Sequence, residues 1–375
     1  MTGQRSEPIH FGRVGDPINP SIFDYYGISK VFSEMALYDS GLKHWVSIRQ
    51  TGQHPSNEAA GELPIQTHQP PNNVLEWSTA IESGICMANI CEDWVPESFW
   101  RKAYNLSSGA GYRMTTWELM DISLGAFGIA LKDMQDSRMM AKYNFHGHYY
   151  TDADDLDNIL HFRCIPAEAY WGGVREEMRR MAENPMIRAA FPTAEQMKQN
   201  IIRIGHKRMG TYWMFENNEE DWIKAFFGSR EQQAAIPAFD EGYDLHHPSE
   251  EPTYLDHGYD ESKKLEDLTL DELKAAAKFR GGECLAEEVP DIYTPIKWRC
   301  ADGHEFMMSV NAVLQGGHWC PECLKDSWAY GQIAKKNPFY AQVWWPIHDP
   351  GDDYVIPMEY SAYRIREELM EKLGL

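Results

Sequence analysis

The chain has 375 residues, with 57 acidic against 35 basic side chains and a formal net charge of −22. That balance argues against general affinity for nucleic acid or an anionic membrane. Hydrophobic residues make up 43% of the chain, enough to pack two or three domains. The opening MTGQRSEPIH has no apolar core of a signal peptide. The longest apolar run, at 124–131, is far too short to cross a bilayer. Without a secretory signal, the seven cysteines are expected as reduced thiols, and the protein as cytoplasmic.

Residues 1–22 are polar and rich in Pro, Gly and Asp and read as a loop. A helix is expected next, with Ile28, Val31, Phe32 and Met35 on its apolar face and Ser40-Gly41 as a stop. Tyr26 and Lys30 are one turn apart on it, so their side chains stack on one face. An ammonium group beside a phenol favours the phenolate, which suits the pair to proton exchange with an alcohol or carbonyl. The same spacing recurs at Tyr259/Lys263 in an acidic stretch and at Tyr293/Lys297, where Pro295 spoils a helix. Only Tyr26/Lys30 opens a clean amphipathic segment. The alternation from His44 to Arg49 reads as a strand, followed by a loop from Gln50 to Pro55. Ligands bind at the carboxyl ends of such strands in α/β sheets.

Further along, 53–73 reads as a loop, 78–92 as a helix, 94–100 as a turn, 104–106 as a short strand and 116–131 as a helix. His146 and His148 would share one face of a strand, with Asp152, Asp154 and Asp155 behind them. A metal site is conceivable there. A substrate-contacting loop or the acidic start of a helix over 156–162 fits better. The helical stretch 173–230 carries Arg175, Arg179, Arg180, Arg188, Arg203, Lys207 and Arg208 among glutamates. Such a stretch is either a salt-bridged solvent face or a phosphate cradle. Acidic residues then crowd the region from Asp240 to Glu272 around Pro248 and Pro252, reading as a solvated linker. Thr269-Leu270-Asp271-Glu272 has a capping-box pattern and opens a helix that Gly281-Gly282 ends.

The stretch DYYGISKVFSEMALYDSGLKHWVSIRQTGQHP resembles the active-site helix, next strand and following loop of the extended short-chain dehydrogenases/epimerases. NNVLEWSTAIESGICMANICE and FWRKAYNLSSGAGYRMTTWELMDISLGAFG resemble later segments of the same family, the likeness thinning towards residue 232. The resemblance implies Tyr26 as catalytic acid/base and Lys30 as its partner and a holder of the nicotinamide ribose. Gln50 and Thr51 would border the nicotinamide and substrate. It implies NAD or NADP as cofactor and a nucleotide-sugar or similar hydroxylated small molecule as substrate. The family's glycine-rich dinucleotide turn has no counterpart in the sequence, and its catalytic Ser/Thr would fall near Thr2, a poor candidate. The chain therefore reads as the later half of such an enzyme, completed by a companion chain or a homo-oligomer, or inactive alone.

The segment WRCADGHEFMMSVNAVLQGGHWCPEC places Cys300 and His304, then Cys320 and Cys323, as two short ligand pairs. Thiolates and imidazole at these spacings suit a structural, four-coordinate Zn²⁺. The segment resembles small zinc-ribbon or treble-clef repeats. Its seven acids against three bases over 281–325 disfavour DNA binding. Cys86, Cys91, Cys164 and Cys284 have no partner pattern. The aromatic NPFYAQVWWPIHDP is placed to lie back over the first domain, and an amphipathic helix is expected at the end.

The expected fold is α/β. A partial Rossmann-type sheet with substrate domain spans 1–232, an acidic linker 233–268, a zinc-ribbon-like module 269–330, and an aromatic tail with terminal helix 331–375. The expected function is NAD(P)-dependent oxidoreduction or epimerisation without nucleic-acid or membrane partners. The rival expectation is a non-catalytic zinc-binding scaffold.

Overall fold

The computed structural model describes residues 11–54, 64, 67, 69–145, 147–190, 192–245, 247–358 and 371–372. His146, Thr2, Pro55 and most of the expected terminal helix lie outside these residues. The first helix, α1, spans Tyr25–Tyr38. The Asp24 carboxylate starts it by accepting the Gly27 N–H at 2.8 Å, as an N-cap does. Ile28, Val31, Met35 and Tyr38 recur at helical spacing and form its buried face, while Phe32 is only half-buried. The chain then turns through Gly41, whose φ of 73° is a conformation that suits a residue without Cβ.

Strand β1 follows at Val46–Gln50. The short β2 is Gln53–His54, β3 is Val74–Glu76 and β4 is Ser78–Thr79. Helix α2 (Ala80–Asn89) is capped by Thr79. Strand β5 (Lys102–Leu106) lies parallel to β1, with Val46 opposite Lys102 and Gln50 opposite Leu106. Strand β6 (Arg113–Thr115) runs antiparallel to β3 and leads into helix α3 (Thr116–Leu124) through a capping box at Thr115 and Glu118. The helix expected over 116–131 stops early because the chain tightens at 125–127 and turns at Gly128, φ 72°. The fold is thus mixed α/β built from small sheets. The described strands form four two-stranded sheets and one three-stranded sheet, and none extends into the broad parallel sheet of a complete dinucleotide-binding domain.

Helices then dominate, from Ala153–Leu160 and Ala167–Glu183 to Glu220–Phe227. Two of the basic residues here face solvent in ion pairs: Arg179 and Arg180 both reach Glu176, at 2.8 and 2.9 Å, while Arg188 donates to the Phe127 carbonyl. That matches the salt-bridged reading of this stretch. None of the described helices is long and apolar enough to cross a membrane.

The C-terminal region is not a separate ball. One apolar cluster joins Ile28, Val31, Met35, Tyr38 and Trp45 to Leu273, Trp298, Val313, Leu314, Trp328, Val343 and Trp344. Tyr340 of the aromatic tail, with Trp328 and Tyr330 just before the tail, packs on residues 19–25. The Tyr330 hydroxyl donates to the Pro20 carbonyl at 2.8 Å, Tyr340 bonds Asn19, and Trp328 packs edge-on to Tyr25 at 5.1 Å. The turn Asn311–Gln315 covers the β5 edge. Asn311 donates its amide to the Arg101 carbonyl at 2.8 Å and Gln315 to the Ala103 carbonyl at 3.3 Å. These side-chain amides occupy positions that a neighbouring strand's N–H groups would otherwise fill, so the strand pair does not present a bare edge.

A core shared in this way unfolds as one unit. Trp328→Ala, which empties a fully buried site in that core, should cost about 3–5 kcal/mol. Urea unfolding followed by circular dichroism should keep a single transition, and two separated transitions would contradict the shared core.

Candidate functional site

A cavity of about 820 Å³ opens between α1, the whole of β1 with Thr51 and Gly52 beyond it, and residues that include Gly12, Arg13, Asn144 and His148. Its volume is in the range that encloses a small-molecule ligand. Tyr26, Lys30, Gln50 and Thr51, the four residues implied by the family resemblance, all line it. Tyr26 stands at the rim, 69% exposed, and the Lys30 ammonium lies 5.0 Å from the centre of its ring. No hydrogen bond joins the two among the described residues. Gln50 ends β1 opposite Leu106, and the Thr51 N–H donates to the Leu106 carbonyl at 3.2 Å, so both sit where the parallel pair terminates.

One turn beyond Lys30 on the same face of α1 is Glu34, which the sequence reading passed over. Its carboxylate accepts from Arg49 Nε at 3.1 Å, from Arg49 Nη2 and Ser47 Oγ, and lies 2.8 Å from His318 Nε2. Burial alone would raise its pKa. The Arg49 charge and the His318 hydrogen bond overcome this and hold it well below the usual carboxylate range. Burial also lowers the His318 pKa, so the imidazole is the neutral donor of the pair. Arg49 Nη2 also donates to the Gly316 carbonyl at 2.7 Å. The spacing of 30 and 34 was a legible signal for Glu34, whereas nothing in the sequence links it to His318.

A second buried cluster backs the cavity wall at Arg13 and Asp16, both of which line it. His257, 1% exposed, places Nε2 3.0 Å from Asp16 Oδ1 and Nδ1 2.8 Å from Glu261 Oε1. Arg13 donates to both Glu261 oxygens, at 2.7 and 2.9 Å. Part of the acidic stretch 233–268 is thereby packed against the first residues of the chain. Burial would lower the His257 pKa, but the hydrogen bonds to Asp16 and Glu261 raise it above its ordinary value. Glu261, in turn, is pulled down to about 2 against its desolvation by His257 and Arg13.

The histidine and aspartate group around 146–155 does not assemble a metal site among the described residues. Asp152 accepts from the Val14 N–H at 2.6 Å and from Asn105 Nδ2 at 2.9 Å, and Asp154 pairs with Arg163. Asp154 and Asp155 instead occupy the first turn of helix Ala153–Leu160, as the acidic helix start implied.

Cys300, His304, Cys320 and Cys323 do come together, with all four ligand atoms within 4.8 Å of one another. Strands β7 (Glu283–Cys284), β8 (Ile296–Arg299) and β9 (Glu305–Met308) form an antiparallel sheet, and the β8–β9 turn carries the first pair. Gly303, φ 82°, closes that turn as its N–H donates to the Cys300 carbonyl. The second pair flanks Pro321 and the helical turn Glu322–Leu324. His304 Nδ1 lies 3.5 Å from Cys300 Sγ, 3.7 Å from Cys320 Sγ and 3.5 Å from Cys323 Sγ, and Cys300 Sγ lies 3.7 Å from Cys323 Sγ. A tetrahedral ion with Zn–S near 2.3 Å has sulfur–sulfur edges of about 3.8 Å, so this donor set fits zinc. Four protein ligands would fill a tetrahedral ion's positions. The other four cysteines are free thiols, and none joins this cluster.

No protein-family model, curated protein or solved structure matches this chain.

The His257 cluster has a defined pH signature. A raised folded pKa contributes stability that is complete below about pH 6.5 and lost as pH rises through the folded value. The lowered Glu261 pKa contributes stability above about pH 4.3 that is lost as pH falls towards 2. His257→Leu removes one of the partners of the buried Asp16 and should cost about 1–3 kcal/mol near pH 6, with the penalty shrinking at pH 9. Urea denaturation across that pH range measures it.

Proposed function

We propose that this chain carries the substrate-binding and proton-transferring part of an NAD(P)-dependent oxidoreductase or epimerase of the extended short-chain dehydrogenase type. A nucleotide-sugar or similar polyol is the substrate on this reading. The observation that carries it is the convergence of Tyr26, Lys30, Gln50 and Thr51 on one cavity that runs along β1 and reaches the carboxyl end of the β1–β5 pair.

The cavity fits one end of the cofactor. Lys30 has no carboxylate partner among the described residues and can donate to ribose hydroxyls, and Gln50 and Thr51 offer amide and hydroxyl groups beside it. The pyrophosphate end does not fit these residues. The sequence has no glycine-rich turn, and the helix N-terminus at the cavity, that of α1, is already occupied by the Asp24 carboxylate, which repels phosphate. The reading therefore assigns that end to a companion chain or a second copy. The nicotinamide, when bound, supplies the hydride chemistry. The chain's own part is to orient a hydroxyl-bearing carbon and to exchange the proton of that hydroxyl with Tyr26 Oη, beside the Lys30 ammonium. Zinc holds the C-terminal module and takes no part in these steps.

The rival scaffold reading draws on the exposure of Tyr26 and the missing Tyr26–Lys30 hydrogen bond in this structure. A screen of nucleotide-sugars with NAD and NADP, read by absorbance of the reduced nicotinamide, separates the two. Turnover should fall by about 10²–10⁴ in Tyr26→Phe. Unchanged turnover in that variant would sink the catalytic assignment, and absence of turnover with every pair would favour the scaffold.

A further inference from the structure

The zinc module and the cavity share a wall through groups close to the metal ligands. His318 stands two residues before Cys320, and Gly316 two residues before that. Both reach out of the module to the same target. His318 Nε2 lies 2.8 Å from Glu34 Oε1, and the Gly316 carbonyl accepts Arg49 Nη2 at 2.7 Å. Glu34 and Arg49 both line the cavity. Glu34 is on the face of α1 that also carries Tyr26 and Lys30, and Arg49 directly precedes Gln50.

Neither contact is peripheral. The His318 side chain is fully buried and that of Glu34 is only 11% exposed. A carboxylate in such a place must keep its partners, because losing one leaves a desolvated charge. Beside this pair, Asp39, which closes α1, accepts the Ser309 N–H at 3.2 Å, and Tyr38 bonds Gln315. The carboxyl half of α1 is therefore fastened to 309–318 at successive points. That segment lies between the two metal-ligand pairs, so its path is fixed by where the ion holds Cys300 with His304 and Cys320 with Cys323.

We infer that the metal centre governs the cavity: with zinc bound, the 309–318 segment clamps Glu34 and Arg49, and loss of zinc frees that wall. His318 and Gly316 are positioning groups, acting through Glu34 and Arg49 rather than on a ligand. The coupling holds whatever the cavity binds, and its failure would leave the oxidoreductase reading untouched. It gives the module a role beyond its own stability, making cavity competence conditional on zinc.

Amide hydrogen exchange with mass spectrometry tests this on the full zinc-loaded chain. Three samples are compared with it: protein stripped of zinc by a chelator, His318→Ala, and Glu34→Gln. The last lies far in sequence from every metal ligand. Zinc content is measured alongside. Zinc removal should speed exchange at least tenfold across Ser33–Tyr38 and Val46–Gln50, while helix Ala167–Glu183, which packs in other clusters, stays protected. Glu34→Gln should retain one zinc per chain and show the same faster exchange in α1 and β1. His318→Ala should do likewise, and should a chain with that change lose its metal, Glu34→Gln decides. Unchanged protection of α1 and β1 after zinc removal would overturn the inference. So would simultaneous loss of protection in Ala167–Glu183, because that is global unfolding rather than a clamp, and so would unchanged exchange in zinc-loaded Glu34→Gln.

Discussion

A single buried carboxylate sets the arrangement of this protein. Glu34 is desolvated, and it stays ionised only because Arg49 and His318 come to it from two other parts of the chain. An unpaired charge in that position would cost several kcal/mol. The three elements that supply the partners, α1, β1 and the 309–318 segment, consequently have little freedom to move apart. The cavity lies along the same helix face, so its geometry inherits that constraint.

The rest of the core reinforces it. Trp298, Trp328 and Trp344 are fully buried, and the apolar cluster that holds them also takes in the inner face of α1. Asn311 and Gln315 meet the outer carbonyls of the chain at β5, which is how a two-stranded parallel pair persists without further strands beside it. On the opposite side, His257 sits between Asp16 and Glu261, and the segment that carries it closes against residues 11–16. The cavity itself is lined by residues between Gly12 and Phe226, and His257, Glu261 and His318 from later in the sequence back that lining.

Local features were legible from residue order alone. The amphipathic spacing of Ile28, Val31 and Met35 marked α1, the Thr269–Glu272 capping box marked a helix start, and the spacings at 300–304 and 320–323 marked the four metal ligands, all of which the structure brings together. Tyr26, Lys30, Gln50 and Thr51 were found through resemblance, and their common cavity is a property of the fold. What could not be read was long-range pairing. His318 meets Glu34 across 284 positions, and His257 meets Asp16 across 241. No periodicity or motif encodes such a contact. The crowding of acids between Asp240 and Glu272 suggested solvation, and composition could not show that His257 within it is itself buried against Asp16. The early end of α3 was missed for a smaller reason, since Gly125 and Gly128 flank apolar residues that otherwise continue a helical pattern.

The account turns on whether the cavity beside Tyr26 and Lys30 receives a nicotinamide nucleotide. Calorimetric titration of NADH and NADPH into the purified, zinc-loaded chain, with Lys30→Ala in parallel, asks this directly. The account predicts saturable binding of at least one of the two, weakened tenfold or more by loss of the Lys30 ammonium. Binding indifferent to the Lys30 ammonium would contradict it.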